Sequence, residues 1–174
     1  MEALVEFAKL ILPAAAVLYA MYLTVKSFLN KEIEKQKMEV IAKNAETLVP
    51  IRLQAYERLT LLLERIAPNN LVRRLNDNSY SAQEFQQILI ANIREEFNHN
   101  LAQQVYVSDE VWNMTKNATE DVILTINQAA EGLDKEAKSI ELARKIFDQY
   151  MQREQDAIVQ AVSALKNEVR QYFE

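Results

Sequence analysis

The chain has 174 residues, of which 49% are hydrophobic and 26% charged, with one Gly, three Pro, no Cys and a formal charge of −5. The lack of Cys excludes disulfides, thiol catalysis and Cys-based zinc sites, and the acidic balance argues against nucleic acid as a partner, which would require clustered Lys and Arg. So little Gly and Pro, beside abundant Ala, Leu, Glu, Gln and Lys, predicts an all-α chain: one domain of ordinary size with an appended segment.

The first element is a helix in "KLILPAAAVLYAMYLTVKSFLNKEIEKQK", Lys9 to Lys37. A cleaved signal peptide would begin with positive charge and end in a small-residue cleavage site, whereas this chain opens "MEALVEFAK" and continues into "YLTVKSFLNKE". A buried helix of a globular protein is usually two-faced, and this stretch is apolar all round. Phe7 to Val25 is about nineteen residues with Lys9 as its charge, which at about 1.5 Å per residue nearly spans a hydrocarbon core of about 30 Å. Lys9 is near enough to the end to snorkel into headgroups. Pro13 is cheapest if the helix begins near Leu10, and a mild kink is expected there if it begins near Ala3. A membrane anchor is the favoured reading, with the lipid bilayer as its partner. Lys26, Lys31, Lys35 and Lys37 crowd the C-terminal flank. The positive-inside rule therefore places the N-terminus outside and the remaining chain in the cytoplasm.

From Asn30 to Glu46 the sequence is charged and free of breakers, with Glu39 and Lys43 spaced for a helical ion pair. A helical stalk is the favoured reading; a disordered linker is the alternative, which Ile33, Val40 and Ile41 argue against. Pro50 disfavours the α conformation at the residue before it, so a kink or a new helix start is expected there. Leu48, Ile51, Ala55, Leu59, Leu62 and Ile66 then mark one buried face. Pro68 is expected to end that helix, with Asn69 capping a short turn through "NLVRRL".

"NDNSY" reads as a loop, and Ser81 with Glu84 forms a capping box that opens a helix to about Ala102. Its core face is Phe85, Ile88, Leu89, Ile93, Phe97 and Leu101. Ser108 opens the next helix, with Asp109 and Glu110 at its positive end. That helix buries Val111, Trp112, Thr115, Val122, Ile126 and Ala129, and Gly132 is its C-terminal stop. Two further stripes follow: Ile140, Ala143, Ile146, Phe147 and Tyr150, then Ile158, Val162, Leu165, Val169 and Phe173. They are out of phase, which predicts a break near Arg153 to Asp156. The domain organisation is then an anchor at 1–29, a charged helical stalk at 30–49 and a compact cytoplasmic domain of four or five helices at 50–174.

The strings "PIRLQAYERLTLLLERIAPNNLVRRL", "IREEFNHNLAQQVYVSDEVW" and "INQAA", with the apolar span before them, resemble a family of uncharacterised membrane-anchored helical proteins associated with Bacteroidota. The resemblance covers nearly the whole chain and is weakest after Gly132. It implies the same anchored helical architecture in a bacterial cytoplasmic membrane. It brings no activity, cofactor or catalytic residue.

"EEFNHN" holds the most tempting chemistry. Glu96 and His99 have the Glu-x-x-His spacing of di-iron helix bundles, but the chain has one His, so only a homodimer would complete such a centre. A structural, partly buried His99 that hydrogen-bonds Glu95 or Glu96 or approaches an adjoining loop is the stronger reading, with partner binding next. Arg52, Arg58 and Arg65 are interleaved with Glu57 and Glu64, which suits a solvated face better than a phosphate site. The pairs Glu95–Glu96, Asp109–Glu110 and Glu120–Asp121 are adjacent in sequence, hence about 100° apart on a helix and unsuited to acid–base work on one substrate. No cofactor is expected.

These readings converge on a non-enzymatic single-pass membrane protein whose helical domain serves as a scaffold or accessory subunit. Its partner is another protein or a second copy of itself. Arg52, Tyr56, His99, Gln103 and Tyr106 are the expected partner face. The alternatives are a self-assembling, stator-like stalk, and a metal-dependent enzyme formed across a homodimer.

Overall fold

The structure, a computed structural model, describes residues 2–171. Among those residues it is all-α, with α1 (Glu2–Ile66), α2 (Pro68–Leu75), α3 (Ala82–His99), α4 (Asp109–Ala130), α5 (Ser139–Met151), α6 (Ala157–Arg170) and a 3₁₀ turn at Leu101–Val105. The chain divides into two compact units between Val49 and Pro50.

The first unit is helical from Glu2 onward. Pro13 therefore lies in the helix interior, not in a first turn near Leu10, and α1 forgoes the bond that its nitrogen cannot donate. Among the described residues α1 is the one helix long and apolar enough to cross a membrane: an 18-residue window has a mean hydropathy of 1.5 and none of it is buried. Leu12, Val17, Leu18 and Tyr19 are all exposed. Leaving such surface in water forfeits about 25 cal/mol per Å²; hydrocarbon removes that penalty. The Thr24 hydroxyl donates back to the Ala20 carbonyl at 2.8 Å, which satisfies it without water. Further along, the ion pair formed is Lys35–Glu39 at 3.8 Å, not the Glu39–Lys43 pair. Both of its side chains are largely exposed, so it contributes a few tenths of a kcal/mol at most.

The new helix start expected at Pro50 does not occur, because α1 continues to Ile66. The proline removes one backbone bond, and the helix-favouring residues around it carry the helix through.

The buried face of α1 begins later than its periodicity suggests. Leu48 and Ile51 are exposed, while Ala55, Leu59, Leu62 and Ile66 are buried. The apolar spacing runs on past the point where neighbouring helices cover it. Pro68 opens α2, where its missing N–H is one of the unpaired groups of a first turn. Asn69 does not cap this helix; Ala67 stands at the N-cap without a side-chain bond.

Ser81 caps α3 as expected: the Glu84 N–H donates to Ser81 Oγ at 3.3 Å and the Ser81 N–H to Glu84 Oε2 at 2.9 Å. Just before it, Asp77 Oδ1 accepts the Ser79 N–H at 2.9 Å, and that bond holds the Asp77 carboxyl below its ordinary range. The start of α3 is tied to the start of α5, the Ala82 N–H donating to the Ala137 carbonyl at 2.6 Å and the Ser139 N–H to the Tyr80 carbonyl at 3.1 Å. Helix α3 ends at His99, three residues short of Ala102. The buried Asn100 donates from Nδ2 to the Glu96 carbonyl at 2.8 Å, and the chain then tightens into the 3₁₀ turn. Leu101 is consequently exposed. Phe97 stacks on Trp112 with ring centroids 5.4 Å apart, joining α3 to α4.

Ser108 caps α4, and Gly132 follows its end with φ +76°, the left-handed conformation that glycine adopts without strain. A break separates α5 from α6 at residues 152–156. There Asp156 Oδ1 accepts the N–H groups of Ile158 and Val159 at 2.9 and 3.3 Å. Its other oxygen accepts the Tyr150 hydroxyl, and Arg153 pairs with Asp121 of α4. Burial, and then the bond to Asp156, push the Tyr150 phenol well above its usual value. Ile158 and Leu165 are buried on α6, Val162 and Val169 are half-buried, and Phe173 lies outside the described residues.

Helix α4 packs against α3, α5 and α6, while α2 packs against α3 and α5. Leu59, Leu62 and Leu63 of α1, Leu71 of α2, Phe85 and Leu89 of α3, Ile126 of α4, Ile146 of α5 and Leu165 of α6 belong to one core. Thr115, Thr119 and Thr125 are buried on α4, each hydroxyl donating to the carbonyl four residues earlier at 2.7–2.9 Å. Their polarity is thereby satisfied within the helix.

Candidate interaction cleft

Two distant stretches of sequence, one on α1 and one just before α4, converge on Glu168 of α6. The Tyr56 hydroxyl of α1 donates to Glu168 Oε1 at 2.7 Å, and the Ser108 N–H donates to the same oxygen at 2.9 Å. The Ser108 hydroxyl donates to Oε2. Ser108 Oγ also accepts the Val111 N–H at 3.3 Å, so one side chain caps α4 and grips the carboxylate. Partial burial alone would push the Glu168 carboxyl up. The bonds from Ser108 and Tyr56, with the positive charge of Arg52, outweigh it and hold the carboxyl below its ordinary value.

Arg52 sits beside this carboxylate and donates from Nε to the Tyr106 carbonyl at 2.8 Å. A cleft of about 650 Å³ opens here, lined among others by Arg52, Ser108, Glu110, Met114, Asn167 and Glu168. It is open to solvent and of mixed polarity. Its chemistry suits hydrogen bonding to another polar surface: a fixed carboxylate, a second carboxylate at Glu110, and carboxamides along α6.

Of the expected partner face, the structure joins Arg52, Tyr56 and Tyr106 through this network. Tyr56 is 3% exposed, so it acts as a buried brace for Glu168 and not as a surface contact. Gln103 contributes its backbone, its N–H donating to the Asn100 carbonyl and its carbonyl accepting the Tyr106 N–H, both at 3.0 Å. His99 stands exposed at the end of α3, and among the described residues no hydrogen bond joins it to Glu95 or Glu96. The partial burial expected for it is not found. One of its two expected partners is engaged elsewhere: Arg65 Nε–H donates to Glu96 Oε1 at 2.7 Å. Among the described residues no three of His, Asp and Glu gather as ligands for a metal ion.

Glu168 escaped the sequence reading, and Ser108 was visible only as a cap. A signal for Glu168 was nonetheless present. It follows Leu165 by three residues and Ala161 by seven, which puts an acid on the apolar face of α6. A carboxylate there needs donors from neighbouring helices.

The chain belongs to a family of unknown function, DUF7935, whose model matches residues 2–172. No curated protein and no solved structure matches it.

Proposed function

We propose that this is a non-enzymatic, single-pass protein of a bacterial cytoplasmic membrane, a scaffold or accessory subunit that presents a compact helical bundle to a protein partner in the cytoplasm. The observation that carries the reading is the exposed apolar window of α1, none of it buried, followed by Lys26, Lys31, Lys35 and Lys37. An apolar helix without protein cover is stable in lipid, and the basic flank favours retention on the cytoplasmic side. The partner face is the cleft beside Glu168, where a preset hydrogen-bond network fixes the polar groups before binding. Site-specific photo-cross-linking in native membranes tests this. A cross-linker at Asn167, in the cleft, is expected to capture one discrete protein, while one at Lys116, exposed on α4 away from the cleft lining, captures none. Equal capture at both positions, or at neither, would remove the cleft from the account.

A second reading draws on a separate observation. Phe28, Leu29, Ile33, Val40, Ile41 and Leu48 are exposed on the charged part of the first unit, and a self-assembling stalk would cover them. A mass that rises with concentration for the full chain in uncharged detergent, and falls back when Ile33 and Val40 become Ser, would favour self-assembly.

A further inference from the structure

Three arginines from two helices line one shallow depression of about 480 Å³, together with Glu64 and Asn70. Arg65 comes from α1, and Arg73 and Arg74 from the last turn of α2. We propose that this depression binds a phosphate-type oxyanion.

Arg65 is positioned by Glu96, as described above. Among the described residues Arg74 is held by neutral acceptors alone, donating from Nη2 to Asn92 Oδ1 at 2.9 Å and to the Arg65 carbonyl at 3.4 Å. Among the described residues no hydrogen bond or ion pair engages Arg73. Glu64 and Glu96 offset part of this charge, and the C-terminal dipole of α2 accounts for a preference for cations in its last turn. Neither accounts for Arg74 being fixed in place without a carboxylate, beside a guanidinium left unengaged. Guanidiniums donate in a planar fork that matches the oxygens of a phosphate. On a chain of formal charge −5, a basic hollow of this kind selects anions against the general field. The same chemistry would recognise a lipid headgroup or a soluble phosphate.

The test uses the full chain in uncharged detergent micelles and calorimetric titration with two probes, inorganic pyrophosphate and glycerophosphoglycerol, the latter a headgroup phosphodiester. Saturable binding is expected, weakened about tenfold or more by the double change R73Q/R74Q, as loss of charged hydrogen bonds requires. R73Q alone leaves the bonds of Arg74 intact and should weaken binding by a smaller factor, so a folding defect in the double variant does not decide the matter. R144Q, at an exposed arginine on α5, should leave binding unchanged. Tighter binding of the phosphodiester assigns the site to lipid headgroups, and tighter binding of pyrophosphate assigns it to soluble phosphates. Absence of saturable binding with both probes, or equal weakening by R144Q, overturns the proposal.

Discussion

Replacing Glu168 by Ala removes the acceptor for three hydrogen bonds, those from the Tyr56 hydroxyl, the Ser108 N–H and the Ser108 hydroxyl. Bonds to an ionised acceptor contribute about 1.5–3 kcal/mol each when fully buried. Glu168 is only half-buried, so water replaces part of what is lost, and a total near 2 kcal/mol is the reasoned figure. For a domain of this size that lowers the melting temperature by about 6–8 °C. The assay is thermal unfolding of the full chain in uncharged detergent, followed by helical circular dichroism. Glu168→Gln keeps the shape and loses the charge, and should cost about half as much. The pH dependence gives a sharper check. The carboxyl of Glu168 is held below its ordinary value in the folded chain, so its contribution is present above the unfolded value of about 4.3 and is lost as the pH falls through the folded value. The gap in melting temperature between the parent and Glu168→Gln should therefore be full at neutral pH and close in acid. A gap that stays constant or widens in acid would refute the reasoning. So would a parent-like melting temperature for Glu168→Ala.

Phe85→Ala empties a fully buried position and should destabilise by about 3–5 kcal/mol, seen as the largest melting shift of the set. Ser81→Ala removes the Oγ that accepts the Glu84 N–H, one half of the capping box, and should cost about 1 kcal/mol, with faster amide exchange at the start of α3. His99→Ala removes an exposed side chain, so stability should stay within about 0.5 kcal/mol of the parent, and a large drop in melting temperature would favour a structural role for this histidine.

Features encoded within a few adjacent residues were legible in the sequence. The box at Ser81 and the cap at Ser108 follow from a side chain meeting nearby backbone, the stop at Gly132 from glycine's access to a positive φ, and the break before Asp156 from two apolar stripes that fall out of phase. Prolines were harder. Pro50 and Pro68 carry the same local penalty, yet α1 runs through the first and α2 starts at the second. Surroundings decide which, and a sequence pattern does not contain them. Burial of Leu48 and Ile51 failed for a related reason: spacing shows which face is apolar, not where a neighbour begins to cover it. The Glu168 network joins residues 52 to 168 across three chain segments, and no local period records such a convergence. The resemblance to an uncharacterised family agrees with the family of unknown function whose model matches residues 2–172.

The central claim is that α1 crosses a membrane and leaves the helical domain in the cytoplasm. Its most direct test places a protease-sensitive tag at each end of the full chain, expressed in a bacterial host, and compares intact spheroplasts with inverted membrane vesicles after alkaline carbonate washing. The account predicts that the chain stays in the membrane pellet, with the N-terminal tag cleaved on spheroplasts and the C-terminal tag cleaved only on inverted vesicles. Release by carbonate, or cleavage of the C-terminal tag on intact spheroplasts, would contradict it.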